Sequence, residues 1–186
     1  MGLRPAKCYK WDMPAYTRVS SNPGDSFITG IPANKINLYD MGNLTAEFNT
    51  QLSIASVKDI QVRHNAMEAA RIIVQKNLEK TLGVSNFHFK VNTYPHHVIR
   101  ENVMATGAGA DRVQQGMRQA FGKPVGRAAR LHTGQALFTV YVNDNPVTVK
   151  FVKKVLRIAM KKLPGPMRLV AGIPAAGPSK KDSGKE

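Results

Sequence analysis

QLSIASVKDIQVRHNAMEAARIIVQKNLEKTLGVSNFHFKV, residues 51–91, holds both hydrophobic periods that a mixed fold needs. Its two ends, Gln51–Val57 and Phe87–Val91, are short runs of strand character, and the second alternates cleanly through Phe87, Phe89 and Val91. Between them Ile60, Met67, Ala70, Val74 and Leu78 recur at helical spacing, which predicts a helix over about Val57–Leu82. Ser56 and Asp59 are placed to cap its start, and Lys80 with Gly83 to close its end. His64 and Met67 read as packing or surface positions rather than ligands.

The pattern extends in both directions. Upstream, Lys35–Tyr39 alternates through Ile36 and Leu38 and reads as a strand. Downstream, Arg127–Leu131 and Leu137–Val142 read as a strand pair joined through His132-Thr133-Gly134-Gln135. Asn145-Pro146 then opens a second helix, since proline in the first turn lacks only an N–H that would find no partner there. Its expected apolar stripe is Val147, Phe151, Val155, Ile158 and Ala159, and Pro164-Gly165-Pro166 stops it. Met167–Ala171 reads as a last short strand. The expected architecture is an α+β single-domain sandwich of mostly antiparallel strands with two main helices, over residues 33–171. An extended arm, 1–32, precedes it, and a Pro-, Gly-, Ser- and Lys-rich tail, 172–186, is expected to be disordered.

Composition sets the partner class. The 186 residues carry 27 basic and 12 acidic side chains, a formal charge of +15, and 42% are apolar. That apolar share suffices for a core, while so large a charge repels itself unless a polyanion screens it. Nucleic acid rewards scattered cations through counterion release. From Arg112 to Val170 there are twelve Lys or Arg and one acid, Asp144, so most of the excess sits in under a third of the chain. The second helix carries Lys150, Lys153, Lys154, Arg157, Lys161 and Lys162 with no acid to pair them, unlike a merely soluble face that mixes both signs. No apolar run approaches the roughly 18 residues of a membrane span. The basic start lacks the apolar stretch of a signal peptide, and Ala6 breaks the myristoylation pattern. Cys8 is the lone cysteine, which excludes an internal disulfide and a multi-cysteine metal site.

Two segments carry chemistry. In the arm, Arg4, Lys7, Lys10 and Arg18 interleave with Tyr9, Trp11 and Tyr16. Such a segment either orders against RNA, offering rings and guanidinium planes for stacking, or docks Trp11 and Tyr16 on its own domain; both readings stand. The second is the loop of about 101–126, where five glycines break both periodicities, although Asp111–Met117 has room for a brief helical turn. A connection of that length in a compact domain is usually functional or disordered. Arg112, Arg118 and Lys123 set charge at its stem.

Catalytic readings are weak throughout. Gly107-Ala108-Gly109 begins a dinucleotide fingerprint, but Arg112 stands where the third glycine belongs, and no Gly-Lys-Ser/Thr follows. Adjacent His96 and His97 point to different sides and do not chelate as an i, i+4 pair would. Acids are too sparse for a general acid/base pair, and Cys8 has no evident partner base. The expectation is no enzyme, no cofactor and no metal.

The loop also carries a resemblance. Ala108-Gly109-Ala110-Asp111-Arg112, Gly116-Met117-Arg118 and Ala120-Phe121-Gly122-Lys123-Pro124 resemble the large-ribosomal-subunit proteins of the universal sixteen family. Gly2-Leu3-Arg4-Pro5-Ala6-Lys7-Cys8-Tyr9-Lys10, Pro95-His96-His97-Val98-Ile99-Arg100, Ala129-Arg130 and Gly134-Gln135 are similar to its archaeal and eukaryotic branch, called ten-e. The likeness covers about residues 1–170, and the tail after Val170 is shorter than the eukaryotic pattern, which makes the chain look archaeal.

The resemblance implies a mixed α/β fold seated in large-subunit ribosomal RNA, in the cytoplasm, beside other large-subunit proteins and away from membranes. The loop would reach toward the peptidyl transferase centre and bound transfer RNA through Met104, Ala105, Thr106, Gly107, Ala108, Gly109, Ala110, Asp111, Arg112, Gln115 and Gly116. Ribosomal RNA would be held by Arg4, Lys7, Tyr9, Lys10 and Arg18 of the arm and by His96, His97, Arg100, Arg118 and Lys123 around the loop. Arg127, Arg130, Lys153, Lys154 and Arg157 complete the expected set. A free-standing RNA-binding module or ribosome assembly factor shares every charge argument and differs in stoichiometry, and a small RNA-modifying enzyme is the third reading.

Overall fold

The computed structural model describes residues 4–12, 17–102, 104, 107–110 and 116–172. Its strands are β1 (Asp40–Gly42), β2 (Thr50–Ser56), β3 (Ile60–Arg63), β4 (Phe87–Val91), β5 (His97–Glu101), β6 (Lys123–Leu131), β7 (Ala136–Val142) and β8 (Met167–Gly172). Two α-helices, α1 (His64–Leu82) and α2 (Pro146–Met160), complete the α+β fold that the periodicities predict. The strands form two antiparallel sheets, ordered β1-β4-β7-β2-β8 and β3-β6-β5.

Alternation assigns the faces. In the larger sheet Leu52, Val140 and Phe89 stand in register, as do Ile54, Phe138 and Val91, and all six are buried. The neighbouring registers, Ser53–Thr139–Lys90 and Gln51–Tyr141–His88, give the opposite, polar face. There the Ser53 and Thr139 hydroxyls lie 3.2 Å apart. One core joins that apolar face to Val62, Ala129 and Leu131 of the smaller sheet and to the buried stripes of both helices.

Several expectations change at this level. The predicted helix over Val57–Leu82 loses its first part, because Ile60–Arg63 pairs with β6 residues 128–131 as a strand and α1 starts only at His64. Branched Ile60 and Val62 favour that ladder. Neither Ser56 nor Asp59 caps α1: Asp59 accepts from the Thr133 N–H at 2.7 Å and its hydroxyl at 3.0 Å, bonds that hold its carboxyl below the usual range. Lys35–Tyr39 is not a strand. Asn34 binds the Ile36 carbonyl at 2.9 Å and its N–H at 3.3 Å, local bonds that compete with a ladder, and the strand begins at Asp40. Leu38 is exposed there while Ile36 enters the core.

β7 forms where expected and β6 begins four residues earlier than expected, at Lys123 inside the expected loop, yet the two do not pair. β6 has β3 on one side and β5 on the other, and β7 lies between β4 and β2, so neither has a free edge for its sequence neighbour. The turn between them instead brackets Ser56, which donates to Gln135 O at 3.1 Å and accepts from Gly134 N at 2.8 Å. α2 starts as predicted, with the Asn145 side chain accepting from the Val147 N–H at 3.1 Å. Its buried stripe is Val152, Val155, Leu156 and Ala159, the i, i+3, i+4, i+7 set, while Val147 and Ile158 remain exposed. Of the expected turn at Asp111–Met117, residues 111–115 lie outside the described part, and Met117–Gln119 is a 3₁₀ turn. The expected tail from 173 onward also lies outside it.

Candidate nucleic-acid interface

The smaller sheet sends Val62, Ala129 and Leu131 into the core, so its other face carries Gln61, Arg63, Ala128, Arg130, His97 and Ile99. The N-terminal arm lies on that polar face. The Arg63 guanidinium sits 5.0 Å from the Tyr9 ring centre, and Arg130 sits 4.3 Å from that of Trp11. Arg130 also donates to the Trp11 carbonyl at 2.7 Å, and the His132 ring meets Trp11 edge-on at 4.9 Å. Trp11 therefore docks on its own domain, while Tyr16 is outside the described residues.

The arm ends its contacts at the root of the loop. Tyr9 donates its hydroxyl proton to Glu101, and Arg4 Nε lies 3.5 Å from the other carboxylate oxygen. Glu101 is the last residue of β5 and is 8% exposed. Sequence reasoning missed it, as it missed Arg63; the one available signal was an acid at the end of an otherwise apolar and basic run. Across the root, Gly122 takes φ +76, and a Cβ there would stand 2.6 Å from the Glu101 carbonyl carbon. Asn102 Nδ2 donates to Gly116 O at 3.4 Å and closes the neck. Arg100 donates to Phe121 O at 2.6 Å and lies 3.7 Å from the centre of that ring.

The remaining expected residues fall into three groups. Lys7, Lys10, Arg18, His96, Arg118, Lys123, Lys154 and Arg157 are exposed, and Lys153 is half-buried. Arg18 covers Phe27 at 5.5 Å, and His96 leans on Tyr94 at 4.4 Å. Arg127 is half-buried and donates to Pro32 O at 2.6 Å and Tyr94 Oη at 2.7 Å. His97 is buried, on the opposite side of the chain from exposed His96 as adjacent residues require. Burial, with Arg130 and Arg100 adding repulsion, pushes its imidazole down to about 4, so it is neutral at pH 7. In the loop, Met104, Gly107, Ala108 and Gly109 are exposed, and Ala110 N donates to Gly107 O at 3.2 Å. Gly116 stands in the neck, and Ala105, Thr106, Asp111, Arg112 and Gln115 are outside the described residues.

Two clefts flank Tyr9. One, of about 120 Å³, opens among Arg4, Tyr9, Gln61, His97 and Glu101. The other, of about 220 Å³, runs past Arg63 and Ala66 to Lys162 and Pro164. The structure thus groups the arm, loop-root and α2-end cations around one sheet face. Among the described residues no set of His, Cys, Asp and Glu is arranged to hold a metal ion, and no helix is long and apolar enough to cross a membrane.

Residues 12–170 match the family model of ribosomal protein L16p/L10e. The chain belongs to the L16p/L10e family. Among its L16p/L10e relatives is large ribosomal subunit protein uL16 of Methanospirillum hungatei, 51% identical over 84% of this chain and 87% of that one. The uL16 of Methanosphaerula palustris is 47% identical over 91% of this chain and 94% of its own. That of Staphylothermus marinus is 44% identical over the same two shares. These relatives are archaeal, in line with the branch that the motifs lead one to expect. L16p/L10e proteins are ribosomal proteins and not a known enzyme family, and the α+β fold described above is that of this member.

Proposed function

We propose that this chain is a structural constituent of the large ribosomal subunit, that it binds large-subunit ribosomal RNA through its basic surfaces, and that its loop helps position transfer RNA near the peptidyl transferase centre. The observation that carries the reading is the unpaired charge of α2 and its C-terminal end. Lys150, Lys154, Arg157, Lys161 and Lys162 are exposed, α2 contains no acid, and none of the ion pairs among the described residues involves these five cations. A solvated helix face normally mixes signs, whereas phosphate rewards a face of one sign.

Phosphate contacts fix placement and carry little sequence information, so the shape of the folded RNA selects the site. The loop does no chemistry: it holds the transfer RNA end in place, and bond formation remains with the RNA. The names of the archaeal relatives support the large subunit over a free-standing module or assembly factor.

The test is the affinity of the full chain for a large-subunit RNA transcript over a range of salt. Log affinity is expected to fall linearly with log salt. Replacing Lys153, Lys154 and Arg157 by Gln is expected to flatten that slope by about 0.7–0.9 for each phosphate that the variant no longer neutralises. Salt-insensitive binding overturns the reading, as does a chain that fails to sediment with the large subunit through a high-salt wash.

A further inference from the structure

The cleft between Arg4, Tyr9 and β5 has a lining that its place in a basic protein does not explain. Gln61, His97 and Glu101 face it from β3 and β5, each more than nine-tenths buried. Gln61 Oε1, His97 Nδ1 and Glu101 Oε2 are buried atoms with no hydrogen-bond partner among the described residues. Glu101 Oε2 has only the ionic contact with Arg4 at 3.5 Å, while its other oxygen takes the Tyr9 proton. Unsatisfied acceptors of this kind are rare in native structures, and each raises the free energy until a donor arrives. Three in one cleft define the complement: a flat group with several N–H donors on one edge and an anion behind it, since Arg4 also lines the cleft.

We infer that this cleft receives a single guanine base turned out of the bound RNA, with the phosphate on Arg4; the inference rests on the RNA-binding reading above. Guanine alone presents adjacent N1–H and N2–H donors on its Watson–Crick edge. Adenine and cytosine place a ring acceptor beside their amino group, and uracil places one donor between two acceptors. Glu101 Oε2 takes N1–H, Gln61 Oε1 takes an N2 proton, and the neutral His97, in the tautomer that carries its proton on Nε2, offers Nδ1 to the second. Tyr9 and Ile99 supply the apolar surface on which a splayed base rests. The tenancy of Tyr9 on Glu101 also sets the order of events: its hydroxyl holds the carboxylate in place before RNA arrives.

The experiment compares the full chain's affinity for the RNA pentanucleotides AAGAA and AAAAA and for free GMP, by competition against a labelled strand. AAGAA is expected to bind at least about fivefold more tightly than either. Glu101→Gln and Gln61→Leu are each expected to abolish that preference, read as the ratio of the two pentanucleotides. Gln61→Leu leaves the Tyr9 and Arg4 contacts intact, so it carries the test if Glu101→Gln unfolds. Equal binding of AAGAA and AAAAA, GMP matching AAGAA, or a preference that survives both variants overturns the inference. If a large-subunit transcript still binds with salt dependence in those cases, the cleft assignment alone falls; if it does not, the proposed function falls with it.

Discussion

The Tyr9 hydroxyl donates to the Glu101 carboxylate across 92 positions of chain, and so ties the N-terminal arm to the strand end from which the loop departs. Glu101 is almost wholly buried, which leaves its charge dependent on Tyr9 and Arg4. Tyr9→Phe removes one of these two partners and keeps the ring under Arg63. The expected cost is about 1.5–3 kcal/mol, the range of a hydrogen bond to a charged group. It should appear as faster hydrogen exchange at the Cys8 and Tyr9 amides, which are bonded only within the arm. Unchanged exchange there would show that the arm is held by other contacts.

Gly122 and Gly134 offer a matched pair. Both take positive φ, +76 and +83, but a Cβ at Gly134 meets nothing within 4 Å, whereas at Gly122 it collides with the Glu101–Asn102 backbone. Gly134→Ala is therefore expected to cost only the left-handed strain, about 1–2 kcal/mol. Gly122→Ala adds a collision that neither backbone segment can relieve, and a loss of about 3 kcal/mol or more is expected. Equal losses by urea unfolding would mean that the loop root is looser than the close approach shows.

His97 makes stability depend on pH. Burial first, then Arg130 and Arg100, hold its folded pKa at about 4 against an ordinary 6.5. Between those values the unfolded chain binds the proton and the folded chain does not, so stability is complete above about pH 6.5 and falls as pH drops toward 4. The full shift corresponds to about 3 kcal/mol. His64, buried among Lys35, Arg127 and Arg63, is shifted the same way and adds to the slope. Urea unfolding at pH 7, 5.5 and 4.5 should show His97→Gln losing less stability than the parent on acidification; parallel curves would remove His97 from the account.

Much of this was legible in residue order, for identifiable reasons. Phe87–Val91 and the Asn145-Pro146 helix start are local signals, an alternation and a cap, and tertiary structure left them alone. The start of α1 was not legible, because Ile60 and Val62 suit either a helix face or a ladder, and only β6, some 70 residues later, decides between them. The α2 stripe went astray for the same reason: two overlapping apolar rows fit the period, and the core chose Val152 and Leu156 over Val147 and Ile158. In the interface the exposed cations were readable as charge excess. Glu101 and Arg63 were not, since their importance comes from which ring or hydroxyl the arm lays on them.

The loop should be separable from the fold. Asn102 reaches Gly116 across the neck, so the chain on either side of residues 105–115 already meets, and removing Ala105–Gln115 asks Met104 to join Gly116 over a short span. No residue between them belongs to the described core, which is built from both sheets, both helices and Leu163. A shorter connection also lowers the entropy of closing β5 onto β6, although the gain grows only slowly with length. The deletion is therefore expected to leave the urea midpoint and the affinity for a large-subunit RNA transcript near those of the parent. On the proposed function it should nonetheless impair translation by subunits that carry it, because the segment positioned near transfer RNA is gone while the cations that seat the protein remain. Deleted subunits that translate normally would remove the loop from the mechanism, and a deletion that unfolds the domain would show that the neck depends on the segment it encloses.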